Sequence, residues 1–229
     1  MNKILVVLTN TTQFTKKDEA TGLWLGEATE FVEDVEAAGY QVDYVSPKGG
    51  YVPLDPRSMK YADNTALARY RSNDFQDRAL SHSLSPADIN PADYVAIYYT
   101  GGHGVMFDFP NDTALQNISR QIYQNGGYLT SVCHGIAGLL NLKDEAGHYL
   151  ISGQKITGFT TSEEVLSGKT RMVPFLNEKV ARQHGAQFLK KRAFKPYAVT
   201  DGQFITGQNP WSPHEVARQL ITALKTHAN

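Results

Sequence analysis

The residue types most suited to chemistry surround Cys133, the single cysteine of the sequence. The segment Tyr128 to Val132 is rich in β-branched and aromatic residues, which is typical of a short buried strand. Small and aliphatic residues suited to a helix follow it through Leu142. Cys133 is therefore expected between a strand and a helix, at the carboxyl end of a sheet, where open α/β sheets bind ligands.

A thiol at this position could act as a nucleophile. A helix N-terminus beneath the sulfur favours the thiolate, so the sequence predicts a pKa for Cys133 below the ordinary cysteine value. Ser131 and Gly135 are small enough for a sharp turn, as in the G-x-S-x-G nucleophile elbow, although the first glycine of that motif is missing. The alternative is a buried thiol that only fills space in the core.

A carboxyl group is predicted near the same edge of the sheet. Glu27 lies on a helix predicted over residues 23–38, four residues before Phe31 and eight before Val35, and so on the inward-facing stripe. An inward carboxylate is costly unless it is paired or protonated. The alternative is a first-turn glutamate that turns back to water and is stabilised by the helix dipole.

Two further segments could contribute polar groups. Gly101-Gly102-His103-Gly104 follows a strand predicted over 94–99, and such a glycine turn can supply a backbone donor for an oxyanion. A histidine such as His103 in a turn of this kind is more often structural than catalytic. Glu163 and Glu164 follow a strand end predicted at residues 155–160, where they could orient a histidine or lie in solvent at the start of a helix.

Strands and helices are predicted to alternate along the rest of the chain. Asp201-Gly202 is a strong hairpin signal between strands at 197–200 and 203–206. Residues 47–91 fit neither a strand nor one long helix, and are expected to form an insertion over the sheet edge with a short helix near 73–81. The other predicted strands are 3–9, 41–46 and 186–189, and the other predicted helices are 112–125, 176–184 and 212–226.

Composition limits the function classes. A chain of 229 residues with 41% hydrophobic and 20% charged residues fits one large α/β domain. A net charge of -1 without a basic run argues against a nucleic-acid partner. One cysteine excludes an internal disulfide and a multi-cysteine zinc site. The apolar run Ile4 to Leu8 is too short for a signal peptide or a membrane span, so we expect a cytoplasmic protein.

Five segments, taken in order, resemble the ThiJ/PfpI superfamily, most closely its Hsp31-like branch, which includes glutathione-independent glyoxalases (glyoxalase III). The resemblance covers nearly the whole chain. It implies a flavodoxin-like three-layer α/β sandwich with a mostly parallel sheet and helices on both faces, in a single domain of residues 1–229 with an insertion at about 47–91. The segments are Glu27, Gly101–Gly104, Val132–Gly135, Gly158–Thr160 and Ile205–Pro210.

The resemblance also implies roles for individual residues. Cys133 would be the nucleophile, His134 its catalytic partner, and Glu27 the carboxylic acid in contact with the sulfur. The backbone N–H groups of Gly102 and His134 would bind an oxyanion, and His103 would lie beside them at the substrate.

A carboxylate would complete this site. Glu164, five residues past Phe159, matches the acidic residue of the family that orients the histidine, and Glu163 is the alternative. The chain has Ile136 where the family often has proline, and Thr161 where it often has asparagine or aspartate. Both departures could alter the shape of the pocket without removing a reacting group.

The activity implied is that of a glyoxalase III, which converts methylglyoxal and water to D-lactate through a hemithioacetal on Cys133. No cofactor and no metal are expected. The expected partner is a small 2-oxoaldehyde, with no nucleic acid and no membrane, and we expect a homodimer.

Three alternatives stay open. The first is a cysteine-dependent amidase or peptidase, although His214 and Glu215 are adjacent and do not form the His-x-Glu pair of glutamine amidotransferases. The second is a protein deglycase. The third is a holdase chaperone or a redox sensor that uses Cys133, and a chaperone would need an exposed apolar surface.

Overall fold

Alternating strands and helices make up residues 3–227, the part of the chain that this computed structural model describes. The strands are β1 Lys3–Val7, β2 Gln41–Val45, β3 Tyr94–Tyr99, β4 Tyr128–Val132, β5 Lys155–Ile156, β6 Gln187–Phe188, β7 Ala198–Asp201 and β8 Phe204–Gly207. The α-helices are α1 Leu25–Ala37, α2 Asn64–Tyr70, α3 Val105–Asp108, α4 Thr113–Gln124, α5 Ala137–Leu140, α6 Thr161–Leu166, α7 Asn177–Gln183 and α8 Pro213–His227.

Within residues 3–227, six strands form the central sheet, in the order β2-β1-β3-β4-β8-β7. All neighbouring pairs are parallel except β7 and β8, which form the predicted hairpin. Strand β1 shows why helices cover both faces, because successive side chains point to opposite sides. Ile4 and Val6 join the core that contains residues of α1 and α8, whereas Leu5 and Val7 join the core that contains residues of α4 and α5. The predicted flavodoxin-like, mostly parallel α/β sandwich is confirmed.

The strand predicted over residues 155–160 is wrong beyond Ile156. Strand β5 pairs only with β6, in a separate two-stranded sheet. The following residues turn towards β4 instead, where the Phe159 N–H donates to the Cys133 carbonyl at 3.0 Å. This turn brings Phe159 and the start of α6 beside the cysteine.

The continuous helix predicted from Cys133 to Leu142 is also wrong. A 3₁₀ turn over Cys133–Ile136 comes first, and α5 then ends at Leu140. The Leu140 carbonyl lies 2.8 Å from His184 Nδ1, which caps this end of the helix. A helix of four residues has few aligned peptide dipoles and can do little to stabilise an anion at Cys133.

The segment between β2 and β3 covers one edge of the sheet. Leu84 pairs with Val45 in a parallel bridge, and an exposed edge of this kind would otherwise invite pairing with another chain. The predicted short helix is confirmed as a π-helix over Phe75–Ser81, whereas α2 was not predicted. The interpretation of residues 47–91 as an insertion into one domain stays a prediction. No helix within residues 3–227 is long and apolar enough to cross a membrane.

Candidate active site

The predicted elbow is present at the end of β4. Cys133 has a φ of 57°, in the left-handed region that costs a non-glycine residue about 1–2 kcal/mol. Gly135 permits this turn, because a Cβ there would lie 2.2 Å from the Tyr99 carbonyl oxygen. The strained turn holds the side chain of Cys133 at the carboxyl end of the parallel sheet, where the sequence placed it.

A chain of polar contacts leads from the sulfur to a buried carboxylate. Cys133 Sγ is 3.3 Å from His134 Nδ1, and His134 Nε2 is 2.8 Å from Glu164 Oε2. All three side chains are buried. If the Glu164 carboxylate accepts from Nε2–H, His134 Nδ1 is left free to accept the thiol proton, which is the arrangement of a nucleophile, base and orienting acid.

The other oxygen of Glu164 binds a second histidine. His103 Nε2 is 3.0 Å from Glu164 Oε1, and Arg57 Nη2 is 3.2 Å from His103 Nδ1. Since a guanidinium can only donate, His103 Nδ1 is the acceptor and its Nε2 carries the proton. The Asp55 carboxylate holds the Arg57 guanidinium in place, because it accepts from Nε at 2.9 Å and from Nη2 at 2.5 Å. Arg57 and Asp55 were missed because nothing in their local pattern marks them.

The ionisation states of the residues in this series of polar contacts follow from their burial and from the groups beside them. Burial lowers the pKa of His103 to about 4, with His134 contributing in the same direction, so His103 is neutral at pH 7. Burial alone would raise the pKa of Glu164, but His134 and His103 outweigh it and hold that pKa far below its ordinary value. Glu164 is therefore a carboxylate, and its charge is available to stabilise a protonated His134.

The same three groups could also hold a metal ion. His103, His134 and Glu164 each offer a ligand atom, and these atoms lie within 4.8 Å of one another. A histidine nitrogen that binds a metal must be free of its proton. Arg57 donates to the opposite nitrogen of His103 and so keeps the proton on the Nε2 that would have to bind. This hydrogen-bonded arrangement fits the predicted metal-free site better than a metal centre.

Glu27 is fully buried, as the helical spacing predicted. Burial raises its pKa well above the ordinary value, and neither of its oxygens has a hydrogen-bond partner of normal geometry among the described residues. The Cys133 thiol and the Gly101 backbone N–H are nevertheless close enough to influence its ionisation. A Cβ on Gly101 would lie 2.4 Å from Glu27 Oε2 and 3.1 Å from Cys133 Cβ, so these three residues meet at one point. Burial without such a partner therefore favours the protonated, neutral form of the Glu27 carboxyl group.

The predicted low pKa of the thiol is wrong. Burial raises the pKa of Cys133, and a charged Glu27 would raise that pKa further. The short helix that follows the elbow does not reverse this effect. The group at rest is therefore a neutral thiol, and forming the thiolate requires a base, for which His134 is in position.

The glycine turn after β3 approaches the site closely. Gly102 has a φ of 101°, and a Cβ there would lie 2.2 Å from the Gly22 carbonyl oxygen. Gly102, His103, Cys133 and His134 all line one cleft of about 640 Å³. The structure therefore brings together all the residues predicted for the site, and the use of the backbone N–H groups for an oxyanion stays a proposal.

Glu163 and Glu164 are both buried at the first turn of α6, so their interpretation as a solvent-exposed pair is wrong. Glu163 points away from the histidines and accepts five hydrogen bonds. Its Oε2 accepts from the backbone and hydroxyl of Thr160, and its Oε1 accepts from the Phe194 backbone and the side chains of Gln208 and Asn209. Glu163 therefore anchors the loop before β7 and the turn after β8.

Comparisons with known proteins identify the family to which this chain belongs. Residues 20–223 match the DJ-1/PfpI family. The chain is 34% identical to the glutathione-independent glyoxalase HSP31 of Saccharomyces cerevisiae, covering 97% of this chain and 98% of the yeast protein. The crystal structure of glyoxalase III from Candida albicans superposes with a TM-score of 0.87 at 31% identity, covering 96% of each chain. The structure of Rapid Encystment Protein 24 KDa from Francisella tularensis superposes with a TM-score of 0.94 at 33% identity, covering 98% of this chain and 99% of that one. The protein is therefore a member of the DJ-1/PfpI family.

Proposed function

We propose that this protein is a glutathione-independent glyoxalase that converts methylglyoxal and water to D-lactate. The observation that carries the proposal is the buried chain from Cys133 through His134 to Glu164, with the neutral carboxyl of Glu27 against the elbow. Relatives of nearly the same length are named as glutathione-independent glyoxalases, which supports the same activity.

The first step forms a carbon–sulfur bond. His134 Nδ1 accepts the thiol proton as Cys133 attacks the aldehyde carbon, and the Glu164 carboxylate stabilises the imidazolium that results. The backbone N–H groups of Gly102 and His134 stabilise the oxyanion of the hemithioacetal. Because the thiol begins protonated, its proton must pass to His134 for the carbon–sulfur bond to form.

The second step moves a hydrogen from the aldehyde carbon to the neighbouring carbon. A base removes the proton from the hemithioacetal carbon, an acid protonates the ketone oxygen to give an enediol, and reprotonation at the neighbouring carbon gives a thioester. The His134 imidazolium first gives its proton to the hemithioacetal oxyanion, so His134 is neutral again and can act as the base, with Glu27 as the acid. Water then hydrolyses the thioester and releases lactate and the thiol, so the sum is methylglyoxal plus water, with no external oxidant or reductant.

The direct test uses the purified protein with methylglyoxal and a chiral assay of lactate. We expect D-lactate to form without glutathione or added metal and in the presence of EDTA. Cys133→Ala should reduce the rate to the background, because no other described side chain at the site can form the thioester. Loss of methylglyoxal without lactate would indicate trapping by thiols or amines and would contradict the proposal.

Location and assembly are part of the same proposal. We place the protein in the cytoplasm because a free catalytic thiol is suited to a reducing compartment. A homodimer is proposed from the resemblance, and sedimentation of the purified chain tests it. The amidase, peptidase, deglycase, chaperone and redox-sensor alternatives stay predictions. His214, the histidine considered for amidotransfer, is 57% exposed and pairs with Asp34, away from the Cys133 chain of contacts.

A further inference from the structure

A continuous row of aromatic rings leads from His134 to the mouth of the cleft. The Phe159 ring centre is 4.2 Å from that of His134 and 6.4 Å from that of Phe194. The Trp211 ring follows at 5.4 Å from Phe194, and Tyr61 follows at 6.3 Å from Trp211. Trp24 completes the row at 5.6 Å from Tyr61. We call this row the aromatic wall; its members are Phe159, Phe194, Trp211, Tyr61 and Trp24.

The aromatic wall returns to the proposed oxyanion turn. The Trp24 backbone N–H donates to the Gly101 carbonyl at 3.1 Å, so the residue that carries the last ring is hydrogen-bonded to the turn that contains Gly102. All five rings line the same cleft as Cys133. A molecule bound covalently to the sulfur would therefore have aromatic surface beside it along the whole path to solvent.

The outer part of the aromatic wall is exposed to water. Trp211 is 43% exposed and Tyr61 is 62% exposed, and Leu166 beside them is 65% exposed. Apolar surface gathered in a concave site is a mark of ligand binding, whereas apolar residues scattered singly over a surface are normal. Tyr51 and Val165 are as exposed as these residues but do not line the cleft, so they serve as matched controls.

The backbone conformation of Phe194 also indicates that the aromatic wall binds a ligand. Phe194 has a φ of 60°, which is unfavourable for a bulky residue and is tolerated where the surrounding structure enforces it. The enforcing group is Glu163, whose Oε1 accepts the Phe194 N–H at 2.8 Å. The buried carboxylate of Glu163 thus holds the strained backbone that positions the Phe194 ring in the aromatic wall.

The size of the cleft exceeds the needs of methylglyoxal. Its volume of about 640 Å³ lies within the range of roughly 300–1,000 Å³ found for sites that bind drug-sized ligands. Methylglyoxal has three carbons and two oxygens, and its methyl group would leave the outer rings uncovered. A substituent larger than methyl is needed to reach them from Cys133.

We propose that the aromatic wall is a subsite for the aryl group of an aryl 2-oxoaldehyde. This inference rests on the proposed glyoxalase function and specifies its substrate class. The Cys133 sulfur bonds to the aldehyde carbon, the hydrogen moves to the carbon that bears the aryl group, and water releases an aryl 2-hydroxy acid. The reaction consumes one water and needs no oxidant or reductant.

An aryl group fits these walls better than an alkyl chain of similar size. Aromatic pairs with ring centres about 4.5–7 Å apart gain roughly 0.5–1.5 kcal/mol beyond the burial of apolar area. An alkyl chain gains only the burial and loses more conformational freedom when it is fixed. The cleft should therefore discriminate by the shape of the substituent as well as by its size.

The test compares phenylglyoxal, n-hexylglyoxal and methylglyoxal, with chiral assays of the 2-hydroxy acid products. We expect the wild-type kcat/KM for phenylglyoxal to exceed that for each of the other two by about tenfold. Trp211→Ala and Tyr61→Ala should raise the KM for phenylglyoxal by about tenfold and leave methylglyoxal turnover within about twofold. Tyr51→Ala and Val165→Ala should leave the KM for phenylglyoxal and the turnover of methylglyoxal unchanged. Initial rates are needed because phenylglyoxal also modifies arginine.

Binding is measured separately in Cys133→Ala, which cannot form the thioester. Quenching of tryptophan fluorescence by phenylglyoxal should saturate in Cys133→Ala. The phenylglyoxal concentration that gives half of the quenching should rise about tenfold when Tyr61→Ala is added, a change that keeps both tryptophans. The proposed subsite would be contradicted by equal kcat/KM for the three substrates. It would also be contradicted if Trp211→Ala lowered kcat/KM equally for methylglyoxal and phenylglyoxal. If no substrate gives a hydroxy acid but the quenching behaves as expected, the proposed function fails and the subsite stands.

Discussion

Glu27→Gln is expected to lower methylglyoxal turnover by about a hundredfold or more, the effect of losing a general acid, while Cys133 still reacts with iodoacetamide. Glutamine keeps the shape of the side chain and an N–H donor but has no transferable proton. The substitution is informative because Glu27 is fully buried and its pKa is raised well above the ordinary value by that burial. Turnover is followed by D-lactate formation, and alkylation by mass spectrometry.

Glu33→Gln is the matched control, since it makes the same change at a partly exposed position of the same helix. It should leave turnover and alkylation unchanged. Near-native turnover in Glu27→Gln would show that Glu27 is only structural and that the proton carrier is His134 or a water.

The pH dependence of stability gives Glu27 a second readout. Because the pKa of Glu27 is raised in the folded protein, the folded state keeps a proton that the unfolded state releases above about pH 4.5. Stability is therefore fully present below that pH and is lost as the pH rises towards the raised pKa. The free energy of unfolding of Glu27→Gln should lack this loss between about pH 4.5 and pH 7. A parallel pH dependence in the two proteins would show that Glu27 ionises normally.

Local patterns in the sequence were sufficient to predict the structure where the position of a residue depends on its neighbours along the chain. The apolar runs of β1 and β4 predicted strands whose bounds the structure nearly reproduces. Helical spacing predicted the inward direction of Glu27, and the Asp201-Gly202 signal predicted the hairpin of β7 and β8.

Contacts between distant segments were not predictable in the same way. Arg57 reaches His103 across 46 positions of the chain, and nothing near Arg57 in the sequence indicates that partner. The pKa of Cys133 was predicted in the wrong direction because the helix-start argument is local, whereas the opposing burial depends on all the segments around the elbow. The local pattern likewise could not choose between Glu163 and Glu164, since adjacent residues at a helix start point in different directions that only the fold determines. The preference for Glu164 came from the family resemblance alone.

Glu164→Gln is expected to reduce turnover by about a thousandfold and to lower thermal stability less than Glu163→Gln does, because one amide can pair with both histidines. A neutral amide cannot stabilise the imidazolium of His134. If its N–H₂ group faces His134 Nε2, it also favours the tautomer in which Nδ1 carries the proton and can no longer accept from Cys133. Alkylation of Cys133 should slow as well, because the same base removes the thiol proton. Lactate formation, the alkylation rate and the melting temperature are measured on one preparation.

Glu163→Gln should give the opposite result, which makes the two variants controls for each other. Glu163 accepts five hydrogen bonds, and an amide must turn its N–H₂ group towards some of those donors. Each buried group left unpaired costs about 1–3 kcal/mol, so we expect a loss of about 3 kcal/mol or more and a melting temperature lower by about 10 °C. Turnover per folded molecule should fall far less than in Glu164→Gln, because the contact between His134 and Glu164 is kept. If Glu163→Gln abolished turnover at unchanged stability while Glu164→Gln was silent, the catalytic carboxylate would be Glu163, and the direction of His134 in the structure would be wrong.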